Sequence, residues 1–580
     1  MVGNNMGKDY YLATTAISEI WDFKKQIILL GPWCLTGAEK TTINHLLLPS
    51  PWQPRIKIKE AADHCYRIYQ EMLPDIALAL NKIHGLSKPE IYWKILLGPW
   101  LMHFIGIVYD RQNSLENAMQ LFPNLVSSAL PNRQCELWAY DTYDFMAIRG
   151  QATTDYYNLG LFSLILKYLY PERVFKADLV VPPVKRISCS TWRSNLIYYL
   201  NETRNVFSRG SVVLSDMYNV SYLQNLYLEM GSTIINRKFK PAIKAKEKRY
   251  SESARAGFSF GDTKDRFKSL LHTLIPKAIP ACYIENYADY AKGVKSTPPV
   301  KIVGSAVGWY FNESFKFFAA EAAANGAQMV EFQHGGGYGI TLSFPTELSA
   351  MEKDKFYTWG WVKEGGNTIP LASPYLSKLH NSYIKKSEDI LFISNLPHKY
   401  FNRFFTHLTP HDVPTYFKNK SIFFQSLRAE ARTLLSYRPY QEVGWKEVEN
   451  IRELMPDIRF LTHARLTGWM KKAGLVVIDH QSTAILEALV INIPSIFFWD
   501  FSIELIRPEA KSYFDMLKDA GILYGTPEEA AAKVNEIYSE PLSWWRNAKI
   551  QRARDEFCRN FALTSVNWRK EWIKALDACG

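Results

Sequence analysis

One pattern occurs twice in this chain, and it restricts the fold more than any other feature. Residues 301–305 (KIVGS) are a short β-rich run, 312–325 (NESFKFFAAEAAAN) a helical one and 328–333 (QMVEFQ) a second β-rich run. Residues 475–479 (LVVID), 483–491 (TAILEALVI) and 494–498 (PSIFF) repeat the order. A strand, a helix and a strand in close succession join as a crossover in a parallel sheet, so both stretches predict α/β units. Asn312 stands where an N-cap belongs.

A chain of 580 residues is too long for one ordinary core and calls for two domains, or three. The expected division is an N-terminal α/β domain with helical insertions over 1–378, a C-terminal α/β domain over 379–540, and closing helices over 541–580. A linker at 376–388 leads into a strand at 389–394 (DILFIS). Ahead of these, the readable elements are a first strand at 26–31 (QIILLG) and a helix over 58–84 ended by Gly85. Helical segments at 89–111 and 114–121 follow. The most apolar stretch, 95–109 (ILLGPWLMHFIGIVY), is short for a membrane span and interrupted by Gly98–Pro99, so it predicts a buried, kinked helix. Around it Trp33, His84, Tyr92, Trp93, Trp100, Asp110 and Arg111 read as core or buried-network residues.

The opening residues are polar and carry no apolar signal-peptide core. Seven cysteines are dispersed without a CxxC pair, which argues against a disulfide framework and against a zinc site. A cytoplasmic protein is expected. The net charge of +12, from 69 Lys and Arg against 57 Asp and Glu, suits nucleotides, phosphates or an acidic membrane surface. The densest basic run, 237–249 (RKFKPAIKAKEKR), reads as a solvated face within a loop over 237–265. No basic cluster is interleaved with aromatics, so no nucleic-acid partner is expected.

Ligands of parallel α/β sheets bind beyond the carboxyl ends of the strands, and two loops sit there. After the run 475–479 comes Asp479–His480–Gln481–Ser482–Thr483. Ser482 and Thr483 open a helix whose free N–H groups and dipole favour a nucleotide phosphate. Glu487, one turn on, is in reach of a ribose hydroxyl. The plainer alternative is that Ser482 only caps the helix. After the run 328–333 comes His334–Gly335–Gly336–Gly337–Tyr338–Gly339. Its glycines allow close backbone approach, and His334 is a candidate general base. Neither a P-loop nor a dinucleotide fingerprint is present. Glu313, in the first turn after Asn312, is a second candidate base. Arg438, His463 and Arg465 are candidate partners for phosphate.

Several segments together resemble a family of transferases encoded in O-antigen and surface-polysaccharide gene clusters. They are 21–34 (WDFKKQIILLGPWC), 81–85 (NKIHG), 92–101 (YWKILLGPWL), Asp110–Arg111, 333–339 (QHGGGYG), 358–361 (TWGW) and 479–494 (DHQSTAILEALVINIP). The loops at 333–336 and 479–483 are also similar to the Trp–His–Gly–Thr and Asp–Tyr–Ser–Ser loops of wall teichoic acid polymerases. The Ser482–Thr483 pair matches transferases that use CMP-activated keto-sugars. Those enzymes carry a His–Pro dipeptide where this chain has Arg438–Pro439 or the reversed Pro397–His398.

The resemblance implies a GT-B-like fold, two Rossmann-type domains facing each other across a cleft. It implies sugar transfer from a nucleotide-sugar co-substrate, without cofactor or metal, to a glycan or lipid-linked glycan such as an O-antigen acceptor, with peripheral contact to the inner face of the membrane. Asp479, Gln481, Ser482, Thr483, Glu487, Arg438 and His463 would then hold the donor, and His334 or Glu313 would be the base. Two alternatives stay open: a polyol- or sugar-phosphate transferase on the same fold, and a non-catalytic nucleotide- or glycan-binding protein.

Overall fold

The computed structural model describes residues 10–37, 44–183, 186, 211–220, 228, 250–294, 300–463 and 465–578. The basic run 237–249 lies outside the described residues, and with it most of the loop expected over 237–265.

The described strands form three sheets. The first contains β1 (Tyr10–Ala13), β2 (Gln26–Leu29), β3 (His45–Leu47), β4 (Leu125–Ala129) and β5 (Val174–Lys176), in the order β3-β2-β1-β4-β5. The second contains β6 (Val212–Ser215), β7 (Ile302–Ser305), β8 (Gln328–Phe332), β9 (Lys355–Thr358) and β10 (Thr368–Pro370), side by side in chain order. The third contains β11 (Ile390–Ile393), β12 (Leu435–Arg438), β13 (Arg459–Phe460), β14 (Leu475–Ile478), β15 (Ser495–Phe498) and β16 (Leu523–Tyr524), in the order β13-β12-β11-β14-β15-β16. Every pairing within these sheets is parallel. The expected parallel α/β class is therefore the observed one, while residues 1–378 hold two sheets. The central strands β11, β14 and β15 are buried at every position, which is why they read as unbroken apolar runs.

Two long helices join the first unit to the second. Helix α1 (Ile56–His84) ends at Gly85, whose φ of 62° is left-handed. Helix α2 (Glu90–Leu121) packs on α1 and on the helix Glu313–Ala324. The two segments expected at 89–111 and 114–121 are one continuous helix. Pro99 removes a single hydrogen bond, and burial on all sides holds the helix together across it. Among the described residues α2 is the helix long and apolar enough to cross a membrane, and 83% of its most apolar stretch is covered by the rest of the protein.

The polar groups in α2 are accounted for internally: Arg111 pairs with Asp110 and donates to Asn158, and Trp52 donates to Asp110 at 2.7 Å. The strand β1 precedes the one expected at 26–31.

Contacts of several kinds tie the units together. The helix Trp568–Asp577 returns to the second sheet: the Trp572 ring stacks on Phe332 at 4.7 Å and its indole N–H donates to the Ala372 carbonyl at 2.8 Å. Thr341 and Ile506 form an antiparallel bridge between the second and third units. The segment that follows β11, residues 394–412, touches all three units. Lys399 pairs with Asp155 at 2.8 Å, His411 packs edge-on against Trp33 at 5.0 Å, Phe404 meets Trp52 at 4.9 Å, and the Thr406 N–H donates to the Ser343 carbonyl at 3.2 Å.

Candidate functional site

The carboxyl ends of the second and third sheets meet, and the two loops singled out in the sequence touch each other there. Strand β8 delivers His334 and the glycine loop, and β14 delivers Asp479 and the start of the helix Thr483–Ile491. The Gly336 N–H donates to Thr483 Oγ1 at 2.9 Å, and Gln481 Nε2 donates to the Gly336 carbonyl at 2.8 Å. A Cβ on Gly336 would lie 2.7 Å from the Thr483 nitrogen and 2.9 Å from the Ser482 carbonyl carbon, so only glycine permits this approach.

The helix start is occupied in this arrangement. Ser482 is its N-cap and accepts from the Ala484 N–H at 3.2 Å, while Thr483 accepts from Gly336. The helix end expected to receive a phosphate is covered by the glycine loop.

Behind that contact the loop is held from below. Asp479 is buried and accepts from Tyr416 Oη at 2.5 Å, from Lys420 Nζ at 2.5 Å and from His480 Nδ1 at 3.0 Å. Burial alone would raise its pKa, but the Lys420 ammonium and the His480 contact together outweigh burial and hold the carboxyl below its usual range. Gln481 is fixed at both ends of its backbone. Its N–H donates to Glu504 Oε2 at 2.9 Å, and its carbonyl accepts from His407 Nε2 at 2.7 Å. His407 Nδ1 accepts from the Leu408 N–H at 2.6 Å, which sets the neutral tautomer with the proton on Nε2. Burial pushes His407 down to about 3 and raises Glu504 well above the ordinary carboxylate range.

Beside these groups is a small cleft, lined by Tyr416, Asn419, Asp479, Trp499 and Glu504 among others. It lies next to the switch point between β11 and β14, where the strand order reverses. Trp499 Nε1, on a buried side chain, has no hydrogen-bond partner there, and Glu504 Oε1 lies 3.3 Å from His407 Nε2.

On the glycine-loop side, Tyr338 is buried and its hydroxyl lies 3.1 Å from His334 Nδ1. The Tyr310 ring packs against the same imidazole at 5.2 Å. Gln333 orders the loop from beneath, donating to the Gly335 carbonyl at 2.8 Å and accepting from the Trp359 N–H and the Trp361 indole. Gly335 and Gly337 complete the turn. Burial, with the nearby Arg403 charge adding to it, pushes His334 down to about 4, so the ring is neutral at pH 7.

The structure thus brings together His334, Gly335, Gly336, Gly337 and Tyr338 with Asp479, Gln481, Ser482 and Thr483. It does not bring Glu313 to them. That carboxylate is buried on Lys316 Nζ at 2.9 Å, Tyr283 Oη at 2.8 Å and the Thr142 N–H at 3.2 Å, a closed network facing α2. Glu487 faces Tyr375, whose hydroxyl donates to it at 2.8 Å, and burial raises it to about 7. Arg438 stands at the end of β12 with its guanidinium donating to the Leu461 carbonyl. His463 is exposed. Among the described residues no three His, Cys, Asp or Glu side chains are grouped as metal ligands.

The sequence reading passed over Lys420, Tyr416, His407, Glu504 and Arg403. Lys420 sits in a helix, Val413–Ser426, that looks solvated. Its burial shows only once Asp479 is known to lie opposite.

Comparison with known proteins follows from this geometry. A family model described as LIC12162 family transferase matches residues 10–576. None of the curated proteins matches the sequence. Two solved structures are similar. One is WaaG, a glycosyltransferase involved in lipopolysaccharide biosynthesis, at 10% identity and a TM-score of 0.28, over 63% of this chain and 99% of that one. The other is the spinosyn forosaminyltransferase SpnP, at 12% identity and a TM-score of 0.32, over 64% of this chain and 99% of that one.

Proposed function

The chain belongs to the LIC12162 family of transferases, and from that premise we propose that it is a glycosyltransferase of GT-B-like arrangement, moving a sugar from a nucleotide-activated donor to a glycan or lipid-linked glycan acceptor of a surface polysaccharide. One observation carries the reading. The carboxyl-end loops of two parallel sheets are hydrogen-bonded to each other, with a neutral histidine on one side and a small cleft at a topological switch point on the other. Such an arrangement suits a reaction whose two substrates enter from different units.

In this reading the nucleoside portion of the donor occupies the cleft beside Trp499 and Glu504, and His334 takes the proton of the acceptor hydroxyl. Asp479, fixed by Lys420 and Tyr416, orients the loop rather than touching the sugar. The nucleotide-sugar is a co-substrate, no cofactor is required, and contact with a membrane surface is confined to delivery of a lipid-linked acceptor at the cytoplasmic face. A CMP-linked keto-sugar is one candidate donor, on the strength of the Ser482–Thr483 pair.

The test is a thermal-shift screen of the whole chain against CMP, CDP, UDP, GDP, dTDP and ADP. Saturation at about 100 times the dissociation constant adds about 2.7 kcal/mol of stability. Stabilisation by one nucleotide names the sugar class, and stabilisation by none removes the donor reading. With a working donor, His334→Ala should lower turnover by roughly 10²–10⁴-fold, the usual contribution of a general base. A product containing phosphorus would reassign the chain to phosphate-linked transfer.

A further inference from the structure

The segment 394–412 carries a cation that has no carboxylate partner among the described residues. Arg403 is half-buried, its guanidinium lying 5.0 Å from the Phe405 ring and 5.9 Å from the Phe344 ring. Among the described residues the guanidinium makes no hydrogen bond and no ion pair, while the Arg403 carbonyl accepts from the Phe405 N–H at 2.9 Å. A desolvated charge is normally paired, because the lost hydration is otherwise uncompensated.

The groups around Arg403 are imidazoles and phenols rather than carboxylates. Burial holds His334, His398 and His103 down to about 4, and the Arg403 charge adds to the effect in each. His398 Nδ1 is itself buried with no hydrogen-bond partner. Phe344, under the Arg403 guanidinium, packs edge-on against Tyr338 of the glycine loop at 4.7 Å, so the cation lies between the two facing units.

We propose that Arg403, with His398 beside it, is the seat for the phosphate groups of the nucleotide donor. The assignment rests on the donor reading above and deepens it. A guanidinium fork matches phosphate oxygens in pairs, and the neutral His398 imidazole, whose Nδ1 has no other partner, can turn an N–H toward the same anion. The start of the helix Thr483–Ile491 is covered by Gly336, so the anion seat lies on the segment after β11 instead. Negative charge that develops on the departing phosphate is met there by a fixed cation in a partly desolvated setting.

The test is calorimetry on the full chain with inorganic pyrophosphate, a set of nucleoside diphosphates with CMP, the matching nucleosides, and geranyl diphosphate as a lipid diphosphate, for wild type and Arg403→Met. The expected result is a fall in nucleotide and pyrophosphate affinity of about 30–100-fold in the variant, as for loss of a charge-assisted hydrogen-bond pair, with nucleoside affinity unchanged within about twofold. Arg403→Lys keeps the charge, loses the fork and should fall between.

A thermal melt separates a binding role from a structural one. Removing an unpaired, partly desolvated cation should leave the melting temperature equal or higher, whereas an arginine that holds the fold would lower it. Nucleotides that bind Arg403→Met as tightly as wild type overturn the assignment while the donor reading stands. Arg403-dependent binding of pyrophosphate and geranyl diphosphate without any nucleotide overturns the donor as its source. Binding of none of these overturns both.

Discussion

Gly336→Ala tests whether the contact between the two sheets is as tight as the geometry requires. The new methyl would lie 2.7 Å and 2.9 Å from backbone atoms of Thr483 and Ser482, which cannot swing away as a side chain could. Keeping the contact would cost about 1–3 kcal/mol of overpacking strain. Relieving it by separating the loops would forfeit the Gly336–Thr483 and Gln481–Gly336 hydrogen bonds, about 1 kcal/mol each. The protein takes the cheaper course, so the closed contact should weaken by about 2 kcal/mol, roughly 30-fold in its opening equilibrium.

Hydrogen–deuterium exchange reads this without a substrate: peptides covering 333–339 and 479–486 should exchange about 30-fold faster. The neighbouring Gly335→Ala is the control. Its Cβ would meet Tyr338 and Thr483 side-chain atoms at 3.8 Å and 3.9 Å, ordinary packing distance, so exchange should change by less than about twofold. Equal behaviour of the two variants, in either direction, would refute the reasoning.

Three further outcomes follow from the same structure. Lys420→Met leaves Asp479 buried without its ammonium and should destabilise the third unit by about 3–5 kcal/mol in urea unfolding, with Asp479→Asn added to it recovering part of the loss. Glu487, at about 7 in the folded chain against an ordinary value of 4.5, keeps its proton longer folded than unfolded. Its contribution to stability is therefore undiminished below pH 4.5 and lost progressively up to about pH 7. The stability of Glu487→Gln relative to wild type should rise by about 1 kcal/mol per pH unit across that window and be level above it in denaturant titrations. Trp572→Ala removes the ring stacked on Phe332 and should cost about 3–5 kcal/mol in the melt of the second unit.

The parts of the site that were legible in the sequence are those encoded locally. Ser482 before an apolar run marks a helix start, and a glycine triplet after a β-rich run marks a loop at a strand end. Both need only neighbouring residues to be seen. The helix at 483–491 has the expected limits for that reason, and so does the left-handed Gly85.

What escaped depends on distant partners. Strand β1 is four residues long, and its identity as a strand comes from pairing with β2 and β4. Lys420 and Arg403 look like surface charges until the fold shows one buried against Asp479 and the other surrounded by rings. Glu313 misleads in the opposite sense. Its place in a first helical turn suggested an accessible carboxylate, while Lys316 and Tyr283 close over it. A basic residue flanked closely by aromatics, as in the stretch around Arg403 (FNRFF), was the available signal for the unpaired cation.

The return of the helix Trp568–Asp577 to the second sheet bears on how the chain is made. Trp572 and Leu576 cover an apolar face built by Val212, Ile302, Val330, Phe332 and Tyr357. Trp572 bonds to Ala372, a separation of 200 residues, with the whole third sheet encoded between them. At roughly 5–20 residues per second, that face stays bare for about 10–40 s of synthesis. Through that interval the emerging chain presents a sheet without its lid, and a chaperone that recognises exposed aromatic surface would find its substrate there.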